Sequence, residues 1–198
     1  MTGFVLVGGW PASGKTTVAR ALAAELRVAY LSKDEVREAL MDQLGAPSTV
    51  EESRKLGAAA VAAVLRAAQG CPGAVIDSTW YPYALPLVHD LPGPFVEVRC
   101  RVEVSAARER YRRRVRDARH LDDQRTDDEL WGAEVAPLGV GPLIEVDTAG
   151  PVDIAALATL IRSAMDPPDG NHQRSQCTTS SKDRRSGRTS GRNGRSAG

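Results

Sequence analysis

Hydrophobic and polar positions along the chain switch repeatedly between two periods. Residues 4–9, FVLVGG, form a short unbroken apolar run, the mark of a buried strand. Beyond a glycine-rich turn, Val18, Leu22 and Leu26 recur at helical spacing with alanines between them, predicting a helix over about 15–26. VAYLS (28–32) predicts a second strand. KDEVREALMDQL (33–44) predicts a second helix, with acids in its first turn where the helix dipole favours them. Gly45 and Pro47 end it. Ser48 and Glu51 have capping-box spacing and open an alanine-rich helix that runs to about Ala68. AVID (74–77) and FVEVRCRV (95–102) predict strands three and four, the latter with Val96, Val98, Cys100 and Val102 alternating. A basic helix follows at roughly 104–117 and a short polar helix near 126–134. PLIEVD (142–147) is the fifth strand, and an amphipathic helix spans 152–165.

Strands alternating with helices predict an α/β domain whose parallel sheet is covered on both faces. From residue 166 onward Ser, Arg, Gly and Thr dominate and large apolar residues vanish. Burial cannot offset the ordering entropy of such a segment, so 1–165 is expected to be the folded domain and 166–198 a disordered basic tail. That tail is either solvated and idle or a ligand for something acidic.

Charge sharpens this division. Of 26 basic and 25 acidic residues, seven and three fall in 166–198, leaving the tail at +4 and the body at −3. A slightly acidic body argues against general nucleic-acid binding by charge. The three cysteines, Cys71, Cys100 and Cys177, are far apart and odd in number, which fits neither a disulfide framework nor a zinc site. No run of eighteen apolar residues suggests a membrane span, and the first residues lack a signal-peptide pattern. The expected location is cytoplasmic.

The glycine-rich turn carries the chemistry. Gly9-Trp10-Pro11-Ala12-Ser13-Gly14-Lys15-Thr16 matches G-x-x-x-x-G-K-[ST], with a strand before it and a helix after it. Amides from about Ser13 to Thr17 converge on a polyphosphate, and the helix dipole adds positive potential. Gly9 and Gly14 allow the turn and the close approach. Lys15 reaches the β- and γ-phosphates, and the Thr16 hydroxyl binds Mg²⁺. Pro11 has no N–H to give and stiffens the loop at a position that donates nothing. Trp10 either shields the site or meets a substrate, or packs on neighbouring loops.

Three further elements accompany the loop. Asp77 ends the third strand, where a carboxylate either holds Mg²⁺ or its water shell, or caps the following turn. Asp34 and Arg37, three residues apart, share one face of the second helix. There a carboxylate can take a proton from an attacking hydroxyl and an arginine can fix a substrate anion; helix capping and an ordinary surface arginine are the alternatives. RERYRRRVRDAR (108–119) is basic on all faces. It serves either as a lid whose arginines, Arg114 and Arg119 foremost, stabilise phosphoryl charge, or as a solvated helix steadied by pairs such as Glu109–Arg113. His120 has no metal-ligand spacing around it and is expected to be structural.

In this order, GGWPASGKTT, LSKDEVREAL, AVIDSTW and the arginine-rich helix resemble small P-loop kinases of the type that includes polynucleotide 5′-kinase, zeta toxin and chloramphenicol phosphotransferase. Related bacterial proteins are called AAA-family ATPases. The resemblance covers about 3–165. It implies a P-loop NTPase three-layer sandwich, with a five-stranded mainly parallel sheet, helices on both faces and an Arg-rich lid. It further implies ATP and Mg²⁺ at Lys15 and Thr16, Asp34 as general base, Arg37 as the substrate-side arginine of a D-x-x-R pattern, and Asp77 as the strand-three aspartate. No second-region motif of ring-forming AAA+ machines is present. The expected activity is ATP-dependent transfer of the γ-phosphoryl group to a hydroxyl of a small-molecule or nucleotide-like acceptor, by a monomer or homodimer. The competing readings are a polynucleotide 5′-hydroxyl kinase and a non-catalytic ATP-sensing regulator.

Overall fold

In the computed structural model, residues 1–114, 118–121, 124–131 and 135–166 are described. The expected basic tail therefore lies outside the described residues, except for Asp166. Five strands, β1 (Gly3–Gly9), β2 (Ala29–Ser32), β3 (Gly73–Asp77), β4 (Phe95–Arg101) and β5 (Leu143–Asp147), form one sheet in the order β2-β3-β1-β4-β5. Every pairing is parallel, where a mainly parallel sheet was expected. The helices are α1 (Lys15–Leu26), α2 (Lys33–Leu44), α3 (Val50–Ala68), α4 (Leu85–His89), α5 (Val104–Arg113), α6 (Asp127–Trp131) and α7 (Ile154–Met165).

Alternation along β1 explains its unbroken hydrophobic run. Val5 and Val7 face one way and pack, with Val75, Val96 and Val98, on Leu22 of α1 and Ile161 of α7. Phe4 and Leu6 face the other way, against Val61, Val64 and Leu65 of α3 and Trp80 beyond β3. A strand buried on both faces has no position for a polar residue until it reaches its end. Cys100 belongs to the first of these cores, and burial pushes its thiol up to about 12, so it packs as a small hydrophobe.

Two helix ends depart from the periodicity. α3 begins one residue later than the Ser48–Glu51 spacing suggests: Thr49 is the cap, accepting from the Glu52 amide at 3.2 Å. Glu52 reaches back to the Ser48 amide at 2.8 Å and its hydroxyl at 2.7 Å. Ser48-x-x-Glu51 and Thr49-x-x-Glu52 overlap in the sequence, and the second pair makes the cap. α5 ends at Arg113 because Arg114 turns extended, at φ −72° and ψ 121°. The rest of the expected basic helix, 115–117, lies outside the described residues, as do 132–134 of the polar one.

Register sets the site. Val7 pairs with Asp77, and Asp77 in turn with Ser32, so β1, β3 and β2 end side by side. From these ends lead the loop after β1, the first turn of α2 carrying Asp34, and the loop carrying Trp80. Chains leave to both sides of β1 at this point, and in open parallel sheets such a crevice holds the ligand.

Candidate active site

The loop after β1 is built to approach a ligand closely. Gly9 has φ 143°, and a Cβ there would stand 2.6 Å from the Cys100 carbonyl oxygen and 2.7 Å from Ser13 Oγ. Gly14 has φ 84° and Ala12 φ 57°. The left-handed conformation costs an alanine roughly 1–2 kcal/mol, strain of the kind that collects at functional turns. The Trp10 carbonyl is the hub of the loop: it accepts from the Ser13 amide at 3.1 Å and from Lys15 Nζ at 3.3 Å. The Ser13 amide is thereby engaged within the loop, which narrows the expected amide cradle to Gly14–Thr17. No side chain caps α1 and no acid stands in its first turn, so its positive end is left for an anion. Pro11 lines the adjoining cleft.

Asp77 is 4% exposed, and burial raises its pKa. The Lys15 charge and a hydrogen bond from Thr16 oppose that rise, nearby Asp34 adds to it, and Tyr30 lowers it slightly. Tyr30 donates to Oδ2 at 3.3 Å, whereas Oδ1 is buried with no hydrogen-bond partner. Ser13 Oγ is in the same condition. A buried carboxylate oxygen without a donor, beside a threonine hydroxyl and the loop lysine, suits a hydrated divalent cation. The capping alternative for Asp77 is not what its surroundings favour.

Beside the loop opens a cleft of about 650 Å³, lined by Pro11 and Lys15 on one side and by Asp34, Arg37, Ser53 and Tyr81 on another. Asp34 Oδ1 takes an ion pair from Lys33 at 3.2 Å and keeps a third of its surface exposed. Ser32, not Asp34, caps α2, its hydroxyl accepting from the Glu35 amide at 3.4 Å. Arg37 is 2% exposed and donates to Ser53 Oγ at 2.6 Å, so it is no surface arginine. The structure thus brings Lys15, Asp34 and Arg37 to one cavity.

The arginine-rich segment divides its side chains. Arg114, at the extended end of α5, lines the cleft. Arg119 is not among the residues lining it and pairs with Asp42 of α2 at 2.7 Å. An aspartate within reach on α2 takes that guanidinium, a pairing that linear spacing cannot show. Arg112 and Arg113 bridge to Glu109 on the surface, and Arg110 donates to the carbonyls of Thr148 and Ala149 at 3.0 and 3.2 Å. His120 is fully buried, 2.9 Å from Glu38 Oε1.

Trp10 packs. Its ring lies 5.8 Å from that of Trp131, which Tyr111 meets edge-on at 5.7 Å and Arg108 covers at 5.6 Å. The phosphate loop is thereby joined to α5 and α6 through aromatic contacts.

Thr148, Ser53 and Arg125 carried no sequence signal, and Trp80 only its place in AVIDSTW. Thr148, just past β5, donates its hydroxyl to the Ser13 carbonyl at 2.6 Å. Trp80 donates to the Val7 carbonyl at 3.1 Å, and a Cβ on Gly8 would stand 2.9 Å from its Cδ1. Ser53 and Arg125 line the cleft from segments with no motif of their own. The tryptophan of AVIDSTW is the one cue the sequence offers, an aromatic three residues after a candidate metal ligand.

Comparison with known proteins agrees with this architecture. The family profile AAA_33, AAA domain, matches residues 4–133, well over half of the chain. No curated protein sequence matches it. A structure from Chloroflexus aurantiacus J-10-fl, provisionally described as a kinase, is 29% identical with a TM-score of 0.72, over 82% of this chain and 98% of that one. A gluconokinase from Sinorhizobium meliloti 1021 superimposes with a TM-score of 0.56 at 22% identity, over 83% of this chain and 94% of its own. The APS kinase CysC of Mycobacterium tuberculosis, solved with AMPPNP and APS, gives 0.56 at 15%, over 83% and 98%. With its all-parallel five-stranded sheet, helices on both faces and a phosphate loop at the central strand's end, the chain has the P-loop NTPase kinase fold and belongs to the AAA domain family.

Proposed function

We propose that the protein is an ATP-dependent kinase that transfers the γ-phosphoryl group to a hydroxyl of a small-molecule or nucleotide-like acceptor. The observation that carries this is the single cleft shared by Lys15, Asp34 and Arg37. A phosphate-loop lysine serves any nucleotide hydrolase, but a carboxylate and a buried arginine across the same cavity serve a second substrate. The structural neighbours described as a gluconokinase and an APS kinase support the same class.

ATP is a substrate here, held by the first-turn amides of α1 and by Lys15. Thr16 and Asp77 would hold Mg²⁺, which neutralises and orients the phosphates when bound. Asp34 accepts the proton of the acceptor hydroxyl as its oxygen bonds to phosphorus and the bond to the ADP leaving oxygen breaks. Lys33, 3.2 Å from Asp34 Oδ1, holds the carboxylate in place. Arg114 closes over the charge that spreads onto the transferring group. Positioning and electrostatics supply most of the acceleration in such transfers.

The test is product detection with γ-labelled ATP and a metabolite panel. Lys15→Ala is expected to abolish transfer to every acceptor. Label released only as inorganic phosphate, or none released at all, would remove the kinase assignment.

A further inference from the structure

The carboxylate of Asp77 is braced from the neighbouring strand. In the pairing of β2 with β3, Tyr30 lies opposite Val75 and Ser32 opposite Asp77. Paired residues share a face of the sheet, and so do residues two apart, so Tyr30 and Asp77 point to the same side. Ser32, directly opposite Asp77, is short and caps α2. Tyr30, two residues back, is long enough to reach forward, and its hydroxyl donates to Asp77 Oδ2 at 3.3 Å. A half-buried tyrosine commonly keeps its polar tip in water. This one turns its tip onto a buried carboxylate.

Two charged side chains hold the ring in that pose. Arg20 of α1 stands over it, 5.4 Å from the ring centre, and pairs with Glu35 in the first turn of α2. Arg20 also meets the Tyr30 hydroxyl. A guanidinium has donors only, so it cannot take the phenol's proton, which is left for Asp77. Arg20 follows Thr16 by four residues, on the same face of α1. The brace therefore joins the helix of the phosphate loop, β2 and the helix that carries Asp34, and it ends on Asp77.

A neutral donor suits a carboxylate whose task is to attract a cation. A lysine or arginine in its place would cancel the negative charge, whereas a phenol fixes the carboxylate and leaves the charge intact. One oxygen is taken by Tyr30, and Oδ1 is buried without a hydrogen-bond partner. Carboxylates that hold metals are themselves oriented by such outer partners.

On the assignment of Asp77 to a divalent cation made above, we infer that Tyr30 is a positioning residue for that cation: its hydroxyl holds Asp77 through Oδ2 and keeps Oδ1 available to the metal or its water shell. Tyr30 is not among the residues lining the cleft, and it acts through Asp77.

The experiment measures AMPPNP binding to the full chain by calorimetry, across a magnesium titration and in EDTA. Tyr30→Phe keeps the ring under Arg20 and removes only the hydroxyl. It should need about tenfold more magnesium than wild type to reach half of the metal-dependent gain in affinity, the usual cost of losing an outer partner. Its affinity in EDTA should be that of wild type, and saturating magnesium should restore the rest. Manganese binding to the AMPPNP complex, followed by electron paramagnetic resonance, should weaken in parallel. A lowered thermal midpoint with the wild-type magnesium requirement would overturn the inference and leave Tyr30 a residue of the fold. Equal losses of affinity in EDTA and in magnesium would do the same. Asp77→Asn separates the inference from the assignment beneath it. It should raise the magnesium requirement at least as far as Tyr30→Phe does, and the double variant should lose little more, because the hydroxyl acts through the carboxylate. A raised requirement in Asp77→Asn with none in Tyr30→Phe would overturn the inference alone; an unchanged requirement in Asp77→Asn would overturn the cation assignment and the inference together.

Discussion

Thr148→Val removes one hydroxyl from behind the phosphate loop and leaves the volume of the side chain unchanged. In the native protein the Thr148 hydroxyl lies 2.6 Å from the Ser13 carbonyl and 2.8 Å from the Arg101 carbonyl. It has one proton to give. The Arg101 carbonyl already accepts from the Thr148 amide at 2.8 Å, so the shorter bond to Ser13 is the one at stake. Ser13 is fully buried, and its carbonyl has no water to turn to. Leaving such an acceptor unsatisfied costs about 1–3 kcal/mol. No cavity forms, so nothing is added for lost packing. For a domain of this size the thermal midpoint should fall roughly 2–12 °C. The loss falls on the loop itself, so AMPPNP affinity should drop along with stability. Thr148→Ser keeps the hydroxyl and should preserve that affinity. The assay is thermal unfolding of both variants with and without AMPPNP and magnesium. A valine variant within a degree of wild type, with unchanged nucleotide affinity, would refute the buttress role of Thr148.

Two other perturbations report on the same site. Burial raises the Asp77 pKa above its ordinary 3.8, so the native state holds that proton more tightly than the unfolded chain does. The cost of ionising Asp77 is absent below the unfolded value, grows as pH rises through the raised native value, and is constant above it. Asp77→Asn should therefore gain stability over wild type as pH rises through that window and keep the gain at neutral pH, while losing magnesium-dependent ATP affinity; pH-dependent urea unfolding checks both. Trp10→Ala removes the contact of the loop with Trp131, worth about 0.5–1.5 kcal/mol, and should speed tryptic cleavage in 108–119 about two- to tenfold.

Legibility in the sequence followed how local each interaction is. The strand, turn and helix around Lys15 depend on neighbours within a few residues, and α1 and α2 have the expected bounds. Burial of β1 on both faces likewise shows in an uninterrupted apolar run. The acceptor side was half legible. Asp34 and Arg37 share a helix face and could be paired by spacing, whereas Ser53, Arg125 and Thr148 reach the site through the fold alone, 135 residues separating Thr148 from Ser13. The arginines show the same limit. Which of them turns inward depends on where α5 ends and on Asp42 on another helix, neither of which spacing within 108–119 encodes. Glu97 was hidden for a different reason. It stands in a strand of alternating valines as a buried carboxylate, satisfied by the amides of Leu138 and Val140 at 2.6 and 2.8 Å, which only the folded loop supplies.

Single-turnover phosphoryl transfer by Asp34→Asn, measured with AMPPNP affinity on the same preparation, tests the central claim most directly. The variant keeps the shape of the side chain and removes the carboxylate proposed to take the acceptor proton. Transfer to the acceptor should slow about a hundredfold or more, the usual share of a general base, with AMPPNP affinity within twofold of wild type. Transfer at the wild-type rate would contradict the assignment of Asp34 and, with it, the division of the cleft into a donor half and an acceptor half.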